Sequence, residues 1–173
     1  MNREIAQLGA KVLRQTAEFV QDVHAIEIRR IIEDLQTTLA NTQGVGIAAP
    51  QISESKRIII VASRPTARYP EAPQMAPTVM INPSFQTRSE NKQKGWEGCL
   101  SIPGIRALVP RYNEIIVQYT NEQGEDIELM LDGFIARVFQ HEVDHLDGRV
   151  YLDRVEDNRD IIAESEYLKL IAD

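Results

Sequence analysis

The chain has one cysteine, Cys99, among its 173 residues, and that scarcity excludes any intramolecular disulfide. A lone thiol suits a reducing compartment. No apolar run is long enough to cross a bilayer. The opening Met1-Asn2-Arg3-Glu4 has neither the apolar core nor the Arg/Ser-rich character of a targeting segment. The expected location is therefore the cytoplasm. Positive charge is also scarce: 19 Lys and Arg stand against 26 Asp and Glu, for a net charge of −7 and a pI near 5.1. Such a surface is not built to neutralise nucleic-acid phosphates or anionic lipid, so no direct nucleic-acid or membrane partner is expected. Repeats, low-complexity tracts and long linkers are missing too. With 43% hydrophobic residues, a chain of this length is expected to form one α+β domain over residues 1–173.

What is present divides into recognisable elements. Ile28, Ile31, Ile32, Leu35 and Leu39 recur at helical spacing and predict an amphipathic helix over residues 26–41. Ile58-Ile59-Ile60-Val61 predicts a short buried strand, and a second strand is expected over 79–83. Four prolines between residues 63 and 77 predict a surface loop. Strands at 114–120 and 126–131, joined through Asn121-Glu122-Gln123-Gly124, predict a hairpin. Asp132 offers a helix N-cap and Gly148 a stop, which predicts a helix carrying His141 and His145. Ile161, Ile162, Leu168 and Ile171 predict a terminal helix over 158–172.

The chemistry begins at His141-Glu142-Val143-Asp144-His145, two of the three histidines at H-E-x-x-H spacing. On a helix the two imidazoles sit one turn apart on one face, where they can hold a divalent metal. Glu142 beside them can take a proton from a water bound to that metal, so the pattern points to metal-assisted hydrolysis. The third ligand decides which hydrolysis. Tyr151 stands where one zinc-protease pattern requires histidine, and a neutral phenol is a poor ligand. Glu164 or Glu166 would supply a carboxylate from a later helix, as in a second protease class. Cys99, in Glu97-Gly98-Cys99-Leu100-Ser101, would supply a thiolate. Its polar flanks do not look like a core strand.

A glycine-rich stretch, Gly44-Val45-Gly46-Ile47-Ala48-Ala49-Pro50-Gln51, lacks the ending of a phosphate cradle. By itself it reads as a tight turn. Its small residues do let backbone approach a ligand, and Gln51 carries an amide donor.

Together, G-V-G-I-A-A-P-Q, E-G-C-L-S and Q-H-E-V-D-H resemble, in order and spacing, the three signature motifs of peptide deformylases. The resemblance extends to Ile102-Pro103, to residues 106–111, and to the general plan from about residue 5 to 155. It implies antiparallel β-sheets packed around a central metal-binding helix carrying HExxH. It also implies removal of the N-formyl group from the initiator methionine of nascent polypeptides, with release of formate. Carried over position by position, Cys99, His141 and His145 would hold the metal, and Glu142 would act as general base and then acid. The Leu100 N–H and the Gln51 amide would stabilise the oxyanion. The Gly46 backbone would bind the substrate main chain. Val138, one turn before His141, is expected to form an apolar wall beside the metal. Family members are typically Fe(II) enzymes that also work with nickel or cobalt and are slower with zinc, so Fe(II) is the expected ion.

Other residues carry lesser expectations. Asp144 is read as orienting a ligand or serving a local ion pair. Glu97 and Arg106 are expected to pair and hold the Cys99 loop. Trp96 and Phe134 are read as packing, and His24 as an exposed or capping residue. Some deformylases dock on the ribosome through a basic C-terminal extension. Here residues 153–173 hold seven acidic and three basic residues, so docking through this tail is not expected.

Overall fold

Strand β2 (Ile58–Ser63) is buried along its whole length. Its successive side chains enter two different apolar clusters: Ile59 and Val61 one, Ile58 and Ile60 the other. Neighbouring strand residues point to opposite faces, so a strand covered on both sides must be apolar throughout. The covers are two helices. The computed structural model, which describes residues 1–172, places α1 (Ile26–Ala40) over the Ile58/Ile60 face through Ile28, Ile31, Ile32, Leu35 and Leu39. Helix α2 (Gly133–Leu146) covers the Ile59/Val61 face through Ala136, Phe139, Val143 and Leu146.

Between the helices lies a five-stranded antiparallel sheet in the order β1-β2-β3-β6-β7. Its other strands are β1 (Gly46–Ala48), β3 (Met75–Thr87), β6 (Glu114–Thr120) and β7 (Asp126–Asp132). The β6–β7 hairpin lies where its turn residues predict it. β3 runs well beyond the expected 79–83 because its register breaks between Ile81 and Ser84, which accommodates Pro83. Asn82 takes a left-handed backbone there (φ 51°), and its side chain bonds the Val20 N–H and C=O, each at 2.9 Å.

A second, three-stranded antiparallel sheet has the order β4-β5-β8, from Lys92–Cys99, Ile102–Tyr112 and Ile161–Ala163. The β4–β5 hairpin turns at Leu100-Ser101, between the paired Cys99 and Ile102. Polar β4, with two glycines, and β5, with two prolines, have little strand signal of their own. Glu97 belongs to β4 and is only 3% exposed, so the reading of the Cys99 flanks as unlike a buried strand is corrected.

The expected terminal helix over 158–172 is also corrected. The segment forms a 3-10 turn (Asn158–Asp160), β8 and a short helix α3 (Glu164–Leu170). Ile161 and Ile162 pair with Ala107 and Arg106 on the free edge of β5, an alternative that helical periodicity does not report. Asp132 does precede α2, with an extended backbone but no side-chain cap bond, and Gly148 follows it at φ +70°. The glycine-rich segment is strand β1 followed by a 3-10 turn at Ala49–Ile52 rather than a simple tight turn. An N-terminal arm ties this turn to the β4–β5 turn: the Ala6 N–H bonds Gln51 O at 2.8 Å and the Leu8 N–H bonds Ser101 O at 2.9 Å.

Candidate metal centre and active site

Three distant segments deliver the site. Helix α2 supplies His141 and His145, whose ring centroids lie 5.2 Å apart. The end of β4 brings Cys99 against them, with Sγ 3.3 Å from His145 Nε2. One donor atom from each of Cys99, His141 and His145 falls within 4.8 Å of the other two. Bonds of about 2.0–2.3 Å to one tetrahedral ion place its ligand atoms roughly 3.5 Å apart, so this spacing suits a single ion. One sulfur and two imidazole nitrogens are donors for zinc or Fe(II). Desolvation of the half-buried Cys99 thiol would raise its pKa, but the neighbouring His145 and His141 hold it well below the ordinary range. The donor set fits a divalent metal.

The ring of His141 is fixed from behind. Its Nδ1 lies 2.9 Å from Glu97 Oε2, which leaves Nε2 for the cluster. Glu97 in turn accepts from Arg111 Nε at 2.9 Å, Arg111 Nη2 at 3.0 Å and Arg137 Nη1 at 2.9 Å. Burial would raise its pKa, but Arg111 and His141 hold it far below the usual carboxylate range. Arg111 also donates to Asp144 at 2.6 Å, and Arg154 closes the network on the same carboxylate at 2.6 Å. Asp144 therefore serves a buried ion-pair network. The expected Glu97–Arg106 pair does not form; Arg106 reaches Tyr69 and Glu164 instead. Glu97, Arg111 and Arg137 were missed as a positioning group. The signal of Glu97 and Arg111, charged residues in buried strands, appears only once β4 and β5 are known to be strands, and Arg137 joins them from α2.

Glu142 is 4% exposed, and its Oε2 has no hydrogen-bond partner. Burial pushes its pKa up to about 7, against the lowering effect of His141 and His145. Gly46 makes room for it, because a Cβ at that position would collide with the Glu142 carboxylate. Gln51 is held by its Oε1, which accepts from the Ala48 N–H at 2.9 Å. Its Nε2 is thereby turned to Cys99 Sγ at 3.5 Å and Ser101 Oγ at 3.2 Å. A cavity of about 170 Å³ is lined by Gly46, Gln51, Cys99, Leu100, Val138, His141 and Glu142. All the predicted site residues except His145, which lies fully buried beneath, thus border one space.

Phe134 and Trp96, read as packing, border the cavity as well, Phe134 against Tyr69 and Trp96 against Tyr167. The rival third ligands are engaged elsewhere. Tyr151 stacks on the His141 ring at 5.8 Å, Glu164 pairs with Arg106 and Arg68, and Glu166 pairs with Lys169. His24 is exposed, as expected.

Comparison with known proteins agrees with this arrangement. A family model described as polypeptide deformylase matches residues 2–160. Peptide deformylase 2 of Nostoc sp. is 52% identical over 167 residues, covering 96% of this chain and 93% of that protein. Peptide deformylase 1 of Bordetella pertussis is 42% identical over 91% of this chain and 89% of its own length. Among solved structures, the class I type b peptide deformylase of Acinetobacter baumannii with Met-Ala-Ser bound superposes with a TM-score of 0.86 at 41% identity, covering 90% of this chain and 99% of that one. The Synechococcus elongatus enzyme in complex with actinonin gives a TM-score of 0.79 at 34% identity, over 97% of this chain and 85% of that one. With agreement of this depth along nearly the whole length, the chain belongs to the polypeptide deformylase family.

Proposed function

We propose that the chain hydrolyses the N-formyl group from the initiator methionine of nascent polypeptides, releasing formate, and that residues 1–173 act as one catalytic domain. The observation that carries this reading is the convergence of Cys99 Sγ and two imidazoles beside a buried carboxylate with an unpartnered oxygen. The Met-Ala-Ser peptide bound to the Acinetobacter relative supports a methionine-headed substrate here too.

Cys99, His141 and His145 would hold the metal, Fe(II) first, with zinc, nickel or cobalt as alternatives. One thiolate and two neutral imidazoles leave a divalent ion with a formal charge of about +1, and such an ion acts as a Lewis acid that makes water nucleophilic near neutral pH. Glu142, poised near neutrality, takes a proton from the water that attacks the formyl carbon. It then passes that proton to the methionine nitrogen as the C–N bond breaks, leaving formate and a free amine. The Gln51 amide and the Leu100 N–H stabilise the oxyanion, and losing one such donor typically costs about 10²–10³ in rate. The Gly46 backbone binds the substrate main chain. Val138, 6% exposed, and Phe134 wall the methionine side chain.

The reaction is placed in the cytoplasm, where nascent chains emerge. Among the described residues, no helix is long and apolar enough to cross a membrane. The test uses protein prepared without oxygen, with metal analysis alongside formate assays on formyl-Met and acetyl-Met peptides. Formate from the first and no turnover of the second is expected. No formate from the iron-loaded protein would end the reading.

A further inference from the structure

The family match stops at residue 160, yet the chain beyond it reaches the active-site cavity. We propose that Glu164, assisted by Tyr167, is a positioning residue for the deformylation reaction. The pair fixes the 64–74 loop and Arg106 as the outer wall of the substrate cavity. This inference rests on the deformylase reading and names a part of the same site.

The contacts form one continuous chain. Glu164 Oε1 accepts from Arg106 Nη2 at 2.7 Å and from Arg68 Nε at 2.9 Å, so one carboxylate oxygen joins β5 to the proline-rich loop. The Tyr167 hydroxyl donates to Arg68 O at 2.6 Å, a second tie from α3 to the same loop residue. Arg106 Nη1 donates to the Tyr69 hydroxyl at 2.8 Å, and the Tyr69 ring packs against Phe134 of α2 at 4.9 Å. Arg68, Tyr69, Arg106, Phe134 and Glu164 all border the cavity.

Arg106 is the centre of this wall and cannot hold its place unaided. It is 4% exposed, and its guanidinium lies 5.6 Å from the Tyr69 ring centre and 5.5 Å from that of Tyr167. It also packs against Gly98, where a Cβ would run into it, directly beside Cys99. A buried cation needs a compensating charge, and Glu164 is the carboxylate that supplies it. Without that carboxylate, the guanidinium is expected to turn out toward water, taking Tyr69 and the loop with it. Glu164 forms its ion pairs with Arg106 and Arg68 and none with the candidate metal ligands, so the loss is expected to fall on substrate binding rather than on the chemical step.

The full chain is tested as wild type, Glu164→Ala, Glu164→Gln and Tyr167→Phe, each loaded with metal to the same level. Steady-state kinetics use a formyl-Met-Ala-Ser peptide. Hydrogen exchange follows the amides of Thr66, Tyr69 and Ala72, which bond within the loop. Fluorescence follows Trp96, the one tryptophan, whose ring lies 5.6 Å from that of Tyr167. Glu164→Ala is expected to raise KM about tenfold with kcat within about twofold, the loss of a charge-assisted contact made in the ground state. Exchange at the loop amides should rise while that of α2 stays unchanged, and Trp96 emission should shift. Glu164→Gln keeps an acceptor oxygen but not the compensating charge, and should recover only part of the KM.

An unchanged KM with unchanged loop exchange in folded Glu164→Ala overturns the proposal, as does a fall in kcat with KM preserved. If Glu164→Ala does not fold, Glu164→Gln and Tyr167→Phe decide by the same readouts, with smaller rises expected. Absence of formate from the wild type sinks the deformylase reading alone, because loop exchange and Trp96 emission still report whether Glu164 fixes the wall.

Discussion

Three residues near the centre do separable work, and substitution separates them. Glu142→Ala removes the proposed proton carrier but none of the three candidate metal donors. It is expected to keep fold and metal and to lose about 10²–10⁴ in kcat, checked by formate release beside metal analysis. Cys99→Ala should instead lose the ion, because two imidazoles alone complete no three-donor set. Glu97 acts one step back, through the Nδ1 of His141. Glu97→Gln keeps the shape, yet it weakens the acceptor and leaves Arg111 with less compensating charge. Metal affinity is expected to fall about 10–100-fold in a competition titration with a chelator, with little change in kcat at saturating metal. Cys99, His141, Glu142 and His145 were legible as candidates because motif spacing places reactive groups on a helix or beside a turn, and the fold brings them together. Glu97 was quoted within its motif, but its partner was misassigned to Arg106. Opposite charge in sequence does not say which cation a strand register brings opposite.

Among the elements, β5 matters most for the site, since it carries both Arg111 and Arg106, the residues that hold β4 and α3. The strand signal was legible where burial is two-sided and the run unbroken, as in Ile58-Ile59-Ile60-Val61, and illegible in β4 and β5, where buried positions are charged. The α3 contact carries a pH signature. Glu164 is lowered by its hydrogen bond to Arg106, with Arg68 adding to the effect; Tyr69 and Tyr167, the other titratable groups there, stay neutral at acid pH. A carboxyl depressed on folding stabilises the fold above its unfolded value near 4.5, and that contribution is lost as pH falls through the lower folded value. The Tm difference between wild type and Glu164→Ala is therefore expected to be full above about pH 5 and to shrink below pH 4.5. A gap that widened on acidification would contradict the assignment.

For the molecule as a whole, net charge bears on which surfaces it can approach. The net charge of −7 and the acidic residues of 153–173 disfavour a phosphate-rich surface. Weak or absent ribosome docking through this tail is expected. Tight, tail-dependent co-sedimentation with ribosomes at physiological salt would overturn that expectation. The tail's role lies inward instead: Ile161 and Ile162 extend the β4-β5 sheet, and α3 closes on the loop that borders the cavity.

The amino-acid sequence by itself determined the helix that carries His141 and His145, the doubly covered β2, the β6–β7 hairpin and the three segments that meet at the site. Each of these is written in local periodicity, turn chemistry or short fixed spacing, and these act over a few residues. The tertiary structure alone decided that Glu97 backs His141, that Arg106 turns to Glu164 and Tyr69 rather than to Glu97, and that residues 161–170 return to the active site. Those outcomes depend on strand register and on which buried charges end up facing each other. Such pairings join residues tens of positions apart, and no local pattern encodes them.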